Sequence, residues 1–145
     1  DEAIAILDHA LTLNQRGQYQ IQAAIASLHA QAPSVDMTDW IQIELLYGAL
    51  AQIAPSPIVD LNRAVAVAMA YGLEQGIIQI EALANIPALQ NYHPYHATQA
   101  DLYRRAGRIA DAKSAYARAI GLCQNDREKV FLSRQLGLLI NGYGF

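Results

Sequence analysis

Four histidines and one cysteine are the side chains of this chain best suited to hold a metal or attack a substrate. His93 and His96 form an HxxH pair, whereas His9 and His29 lie far off in sequence. A zinc site takes three or four ligands in a fixed geometry, and neither an HExxH helix nor a second cysteine completes the set. His93 also precedes Pro94, which restricts its backbone and is expected to leave it outside the helix that carries His96. Asp101 and His96 are expected as a structural pair on that helix. Cys123 has no histidine near it in sequence and reads as a small core residue. Ser27, Ser34, Ser56, Ser114 and Ser133 all lack a Gly-x-Ser-x-Gly setting. Phosphate-cradling loops and dinucleotide turns are absent from the sequence. No catalytic residue, metal or cofactor is therefore assigned, and the chain is not expected to be an enzyme. One binding chemistry stays open, a small-molecule pocket lined by Tyr92, His93, Tyr95 and His96.

The composition limits partners in the same direction. At 145 residues the chain can bury a core without staples. Hydrophobic residues are 53% and charged residues 16%, a globular balance. A net charge of -3 argues against nucleic-acid binding by bulk electrostatics, which needs clustered Lys and Arg. A single cysteine rules out an internal disulfide and suits a reducing cytoplasm. The longest apolar run, Ala64 to Leu73, is about half of what a membrane span requires. The chain opens at Asp1 and enters helical periodicity at once, as expected of a fragment of a longer protein.

Helical spacing runs from end to end. Residues 2–14 place Ile4, Leu7 and Leu11 on one face. A turn is expected at Arg16-Gly17-Gln18. The helix over 18–32 buries Ile21, Ile25 and Leu28, with Gln22, Ala26 and His29 along another face. That face is either solvated, or uses Tyr19, Gln22 and His29 to bond a neighbouring helix or a partner. Pro33 ends the helix. Asp36, Thr38 or Asp39 caps the next, over 39–53, with Trp40, Ile43, Tyr47 and Leu50 at helical spacing. Pro57 suits a first helical position, and the helix over 57–71, apolar nearly all round, is expected to be central. Asn62 and Arg63 are its polar exceptions, Arg63 being expected to pair with Asp60 or Asp101. Gly72 stops it. A shorter helix covers 73–84, and a loop with one helical turn covers 85–92. A last helix, 126–140, with Val130, Leu132, Leu136 and Leu139 apolar and capped by Asn125 or Asp126, is expected to lid the end of the stack, and the tail after it to fray.

Between these lies the most ordered pattern, residues 96–121, two helices joined at Ala106-Gly107-Arg108. Ala100, Tyr103, Gly107, Ala112, Tyr116 and Ala119 fall where a tetratricopeptide-type hairpin takes small, aromatic, glycine, small, aromatic and small residues. Gly107 supplies the left-handed residue that lets the chain leave its first helix. Gly72 precedes it by close to the roughly 34-residue period of such repeats, which marks a degenerate earlier copy. Arg104, Arg105 and Arg108 gather at the bend, where cations oppose the helix dipole. The fold expected is all-α, a TPR-like right-handed stack of about seven or eight antiparallel helices forming a single domain over residues 1–145.

Three blocks taken together go beyond that pattern. They are GQYQIQAAIASLHAQAPS (17–34), TDWIQIELLYGALAQIAPSPIVDLNRAVAVA (38–68) and YHPYHATQADLYRRAGRIADAKSAYARAI (92–120). In order and spacing they resemble the C-terminal, TPR-like extension of a subgroup of bacterial extracytoplasmic-function sigma factors. One departure is Gln18, where that family more often has proline. The motif positions matched are Tyr19, Gln20, Gln22, His29, Asp39, Trp40, Asn62, Arg63, His96, Asp101, Arg104 and Arg105, a mixture of core, capping and contact positions. The resemblance implies a cytoplasmic, non-enzymatic regulatory domain in a protein that directs transcription initiation. RNA polymerase core and promoter DNA would be bound by N-terminal sigma regions that this chain lacks. The domain itself would pack on those regions or bind a partner protein, without direct nucleic-acid or membrane contact. The alternatives are a TPR-like peptide-binding adaptor unrelated to transcription and the small-molecule sensor named above.

Overall fold

The computed structural model describes residues 14–33 and 37–142. Among them the chain forms eight helices and no strand: α1 (Asn14–Gln31), α2 (Trp40–Ile53), α3 (Pro57–Tyr71), α4 (Leu73–Glu81), α5 (Pro87–Gln90), α6 (His93–Arg105), α7 (Ile109–Leu122) and α8 (Asp126–Ile140). The all-α expectation holds for these residues. The helix expected over residues 2–14 lies outside them but for Asn14, which is the first residue of α1.

The caps explain where several helices begin. The Asp39 carboxylate accepts from the Gln42 backbone N–H at 3.2 Å and also from the Gln42 side-chain amide. The Ser56 hydroxyl accepts from Ile58 N–H at 3.1 Å, with Pro57 directly after it. The Asn125 side chain accepts from Glu128 N–H at 3.0 Å. Each bond satisfies a backbone donor that has no partner inside its own helix, worth about 1 kcal/mol. Pro94 sits in the first turn of α6, where a missing N–H costs nothing. His93 is thus the first residue of α6 and not part of the loop before it.

The turn expected at Arg16-Gly17-Gln18 is not formed, because α1 runs through it. Gly17 lies in the first turn of α1, is buried, and keeps a negative φ. Glycine's entropic cost is small at such a position, and nothing else there breaks the helix. α4 stops at Glu81, three residues short of the span expected, and Ala82 to Asn85 form turns.

The helices fall into two compact units, Asp1–Gly72 and Leu73–Phe145. In the first, Ile21 and Ile25 of α1 meet Ile43, Leu46, Ala49 and Leu50 of α2 and Ala66 of α3. Ile21, Ile43 and Leu46 are fully enclosed, each burial contributing roughly 2 kcal/mol. α3 buries Ala64, Ala66 and Ala68 beside Leu61 and Val67, a small-residue surface that admits close neighbours. In the second unit α6 and α7 form the hairpin seen in the sequence. Ala100 and Tyr103 of α6 and Ala112, Tyr116 and Ala119 of α7 are all buried. Gly107 has φ +79, Arg108 N–H bonds Tyr103 C=O at 2.9 Å, and Gly107 N–H bonds Arg104 C=O at 3.1 Å. This is a Schellman closure, and its left-handed position is the reason for glycine. α8 buries Leu132 and Leu139.

Candidate interaction surface and polar networks

The twelve matched positions divide between the two units. Eight lie in the first unit: Tyr19, Gln20, Gln22, His29, Asp39, Trp40, Asn62 and Arg63. Four lie in the second: His96, Asp101, Arg104 and Arg105.

On α1 the inward stripe of Ile21, Ile25 and Leu28 leaves the opposite face open. Tyr19, Gln22, Ala26, His29 and Ala30 are all exposed, Tyr19 by 72%. At 100° per residue these five fall within about a third of the helix circumference. The face is floored by alanine, with one phenol, one amide and one imidazole raised above it. The His29 ring meets Trp40 edge-on, centroids 5.1 Å apart, so Trp40 holds the imidazole while its own ring packs on the core. Such a face offers flat apolar contact with hydrogen-bonding groups at its edge, and tyrosine suits contact surfaces because it brings area with few rotatable bonds.

Arg63 pairs with neither Asp60 nor Asp101. Its Nε and one terminal nitrogen both donate to Glu44 Oε1, at 3.1 and 3.0 Å. Glu44 is buried on α2 and Arg63 half-buried on α3, so the pair ties the two helices together. Gly48, one turn along from Glu44, leaves the space. A Cβ there would stand 3.2 Å from the guanidinium. Asn62 and Asp39 are exposed, the latter spent on its cap.

In the second unit the bend of the α6–α7 hairpin carries a network of charges. Asp101 accepts from Arg104 at 2.7 Å and from Arg105 at 2.9 Å. Arg108 reaches α4, bonding Glu74 at 2.6 Å, with Glu81 at 4.0 Å. Tyr103 donates to Glu81 at 2.6 Å, and the Arg108 guanidinium lies 6.0 Å from its ring centre. Burial pushes the Tyr103 phenol well above its ordinary value, and the Glu81 carboxylate adds to that. Burial also raises Tyr116, although a bond with Arg104 opposes it. On Arg104 burial works against the charge, but the bonds to Asp101 and Tyr116 outweigh it and raise the pKa. The dipole account of these arginines is thus only part of their role: Arg108 clamps α4 to the hairpin.

Asp101 is consumed by the arginines and does not bond His96. His96 is buried, its Nε2 lies 2.7 Å from the Gln90 carbonyl, and its ring meets Tyr95 edge-on. Tyr95 donates to the Ile80 carbonyl at 2.8 Å. The Tyr95 hydroxyl and His96 Nε2 therefore meet two different backbone carbonyls. Among the described residues no group of three or more His, Cys, Asp or Glu side chains is placed to hold a metal ion. No helix there is long and apolar enough to cross a membrane.

Among the described residues, four buried side-chain atoms have no hydrogen-bond partner within the chain: Gln20 Oε1, Trp40 Nε1, His96 Nδ1 and Arg104 Nε. All four belong to the twelve matched positions. A buried polar atom is ordinarily met by protein or by ordered water, and one left unmet costs about 1–3 kcal/mol. Sequence reasoning missed Glu44, Glu74 and Glu81, whose partners lie 19 to 34 residues away.

An uncharacterized protein of Rhizobium meliloti (strain 1021) is 44% identical to this chain over 135 residues, 93% of the chain. The chain spans 31% of that protein's length. No protein-family model and no solved structure matches.

Proposed function

We propose that this chain is a non-enzymatic, protein-binding regulatory domain built from TPR-like helical hairpins, and that it is the C-terminal extension of an extracytoplasmic-function sigma factor. The open face of α1 carries the reading: Tyr19, Gln22 and His29 are motif positions, and they stand together on an alanine floor directed at solvent. Residues kept for packing alone would face inward. The Schellman bend at Gly107 and the buried Ala100, Tyr103, Ala112, Tyr116 and Ala119 support the TPR-like assignment. The Rhizobium relative, much longer than the match, is compatible with a domain carried by a larger protein.

In this reading sigma regions elsewhere in the parent protein bind RNA polymerase core and promoter DNA in the cytoplasm. The present domain docks on those regions or on a regulatory protein. The sensor alternative loses ground because the Tyr95 hydroxyl and one of the two ring nitrogens of His96 are engaged with the backbone. The adaptor alternative shares the surface and differs in what the parent protein does. Promoter-dependent transcription by the parent protein, with and without this domain, separates the two. Removal is expected to change output or its response to the inducing condition by several-fold, and unchanged transcription would refute the sigma-factor reading.

A further inference from the structure

The last helix carries a second stripe that the fold does not use. Leu132 and Leu139 face the core of their unit, but Arg127, Val130, Phe131, Arg134 and Leu138 lie along the opposite side, with Val130 exposed by 59%, Phe131 by 55% and Leu138 by 37%. Their spacing of three and four residues makes one continuous strip down α8, about 16 Å long at 1.5 Å per residue. A helix closing a stack is expected to turn a polar face outward, and this one does not.

The two arginines say what the strip would accept. Three and four residues from Arg134 stand Val130, Phe131, Gly137 and Leu138. At the same distances from Arg127 stand Cys123, Gln124, Val130 and Phe131. Neither arginine can form the usual ion pair within its helix, and neither has an ion pair among the described residues. Arg127 also sits in the first turn of α8, where a positive charge opposes the helix dipole. It does not stabilise the helix that carries it.

We propose that the Arg127–Leu138 strip of α8 docks an acidic amphipathic helix. The partner's apolar residues would cover Val130, Phe131 and Leu138, and its carboxylates would flank them to meet Arg127 and Arg134. The strip is one helix wide, which fits recognition of a helix by residues spaced three, four and seven apart. Two arginines on a chain of net charge -3 are too few for the basic, extensive apolar face that holds a helix at a lipid surface. A second copy of the same strip would bring no carboxylate to either arginine. This inference does not rest on the sigma-factor reading, since it concerns α8 alone.

Two synthetic amphipathic helices test it, sharing one leucine stripe flanked by glutamates in one peptide and by lysines in the other. Binding to the 145-residue chain is followed by fluorescence anisotropy at low and moderate salt. The glutamate peptide is expected to bind about tenfold more tightly than the lysine peptide, and to weaken with salt. F131A/L138A should weaken it about tenfold or more, and R127E/R134E should reverse the preference between peptides. R127E/R134E should leave the melting curve unchanged, whereas F131A/L138A, which removes half-buried side chains, should lower it by a few degrees; a single cooperative transition in each shows that these variants fold. Equal affinity for both peptides, no binding of either, or binding indifferent to the variants would overturn the proposal. So would flotation of the chain with phosphatidylglycerol vesicles that F131A/L138A abolishes, or a dimer in sedimentation that the same variant dissociates.

Discussion

At the end of α6 the Tyr103 phenol donates to Glu81 and lies beneath Arg108, and its pKa is raised, first by burial and then by the Glu81 carboxylate. An unfolded tyrosine releases its proton near pH 10, whereas the folded one holds it to higher pH. The folded state thus binds the proton more tightly. The resulting stabilisation is complete below about pH 10 and is lost as pH rises from there towards the folded value. Tyr103→Phe should cost about 1 kcal/mol near neutrality. The gap between the two proteins in denaturant melts should then close at alkaline pH. A gap that stays constant through that range would show that the phenol's proton is not coupled to folding. Tyr103 was legible in sequence as the hairpin's aromatic filler. Its partner Glu81 was not, because contact between α4 and α6 depends on a packing geometry that neither helix states in its own pattern.

The Arg63–Glu44 pair belongs to the contact between α2 and α3. It exists because Gly48 leaves the surface of α2 low enough for a guanidinium to lie across it. Arg63→Ala would leave the Glu44 carboxylate buried without a partner, expected to cost about 2 kcal/mol, less than for a fully enclosed pair since Arg63 is half exposed. Arg63→Lys should recover only part of that, having one nitrogen where the guanidinium presents two to the same oxygen. Urea melts check both, and wild-type stability in Arg63→Ala would contradict the role given to the pair. Helix limits were largely readable from local chemistry: Asp39, Pro57, Gly72, Gly107 and Asn125 all mark ends where the sequence placed them, whereas the Ser56 cap was not foreseen. Gly17 misled because glycine ends a helix only where the chain takes a left-handed turn, and here it stays helical. The ion pairs misled for a different reason. Asp60 is close to Arg63 in sequence, but the carboxylate that packing brings within reach comes from the preceding helix.

On the function proposed, the chain is built to be contacted. Its buried positions rely on alanine and isoleucine, its charged residues at the hairpin bend are spent on each other, and two helix faces with distinct chemistry remain open. The α1 face, small and polar in sequence, was legible as a surface because Gln22, Ala26 and His29 fall on a different face from Ile21 and Ile25. The α8 strip was not, because its apolar residues look like core until Leu132 and Leu139 are seen to take that place. The most direct measurement is promoter-dependent transcription by the parent protein carrying Tyr19→Ala, Gln22→Ala and His29→Ala together. These side chains are exposed, so the melting temperature should hold while output or its induction shifts by about fivefold or more, as loss of roughly 1 kcal/mol of coupling implies. Transcription and induction indistinguishable from the unaltered protein, in a variant that remains folded, would contradict the assignment of this face as the regulatory contact.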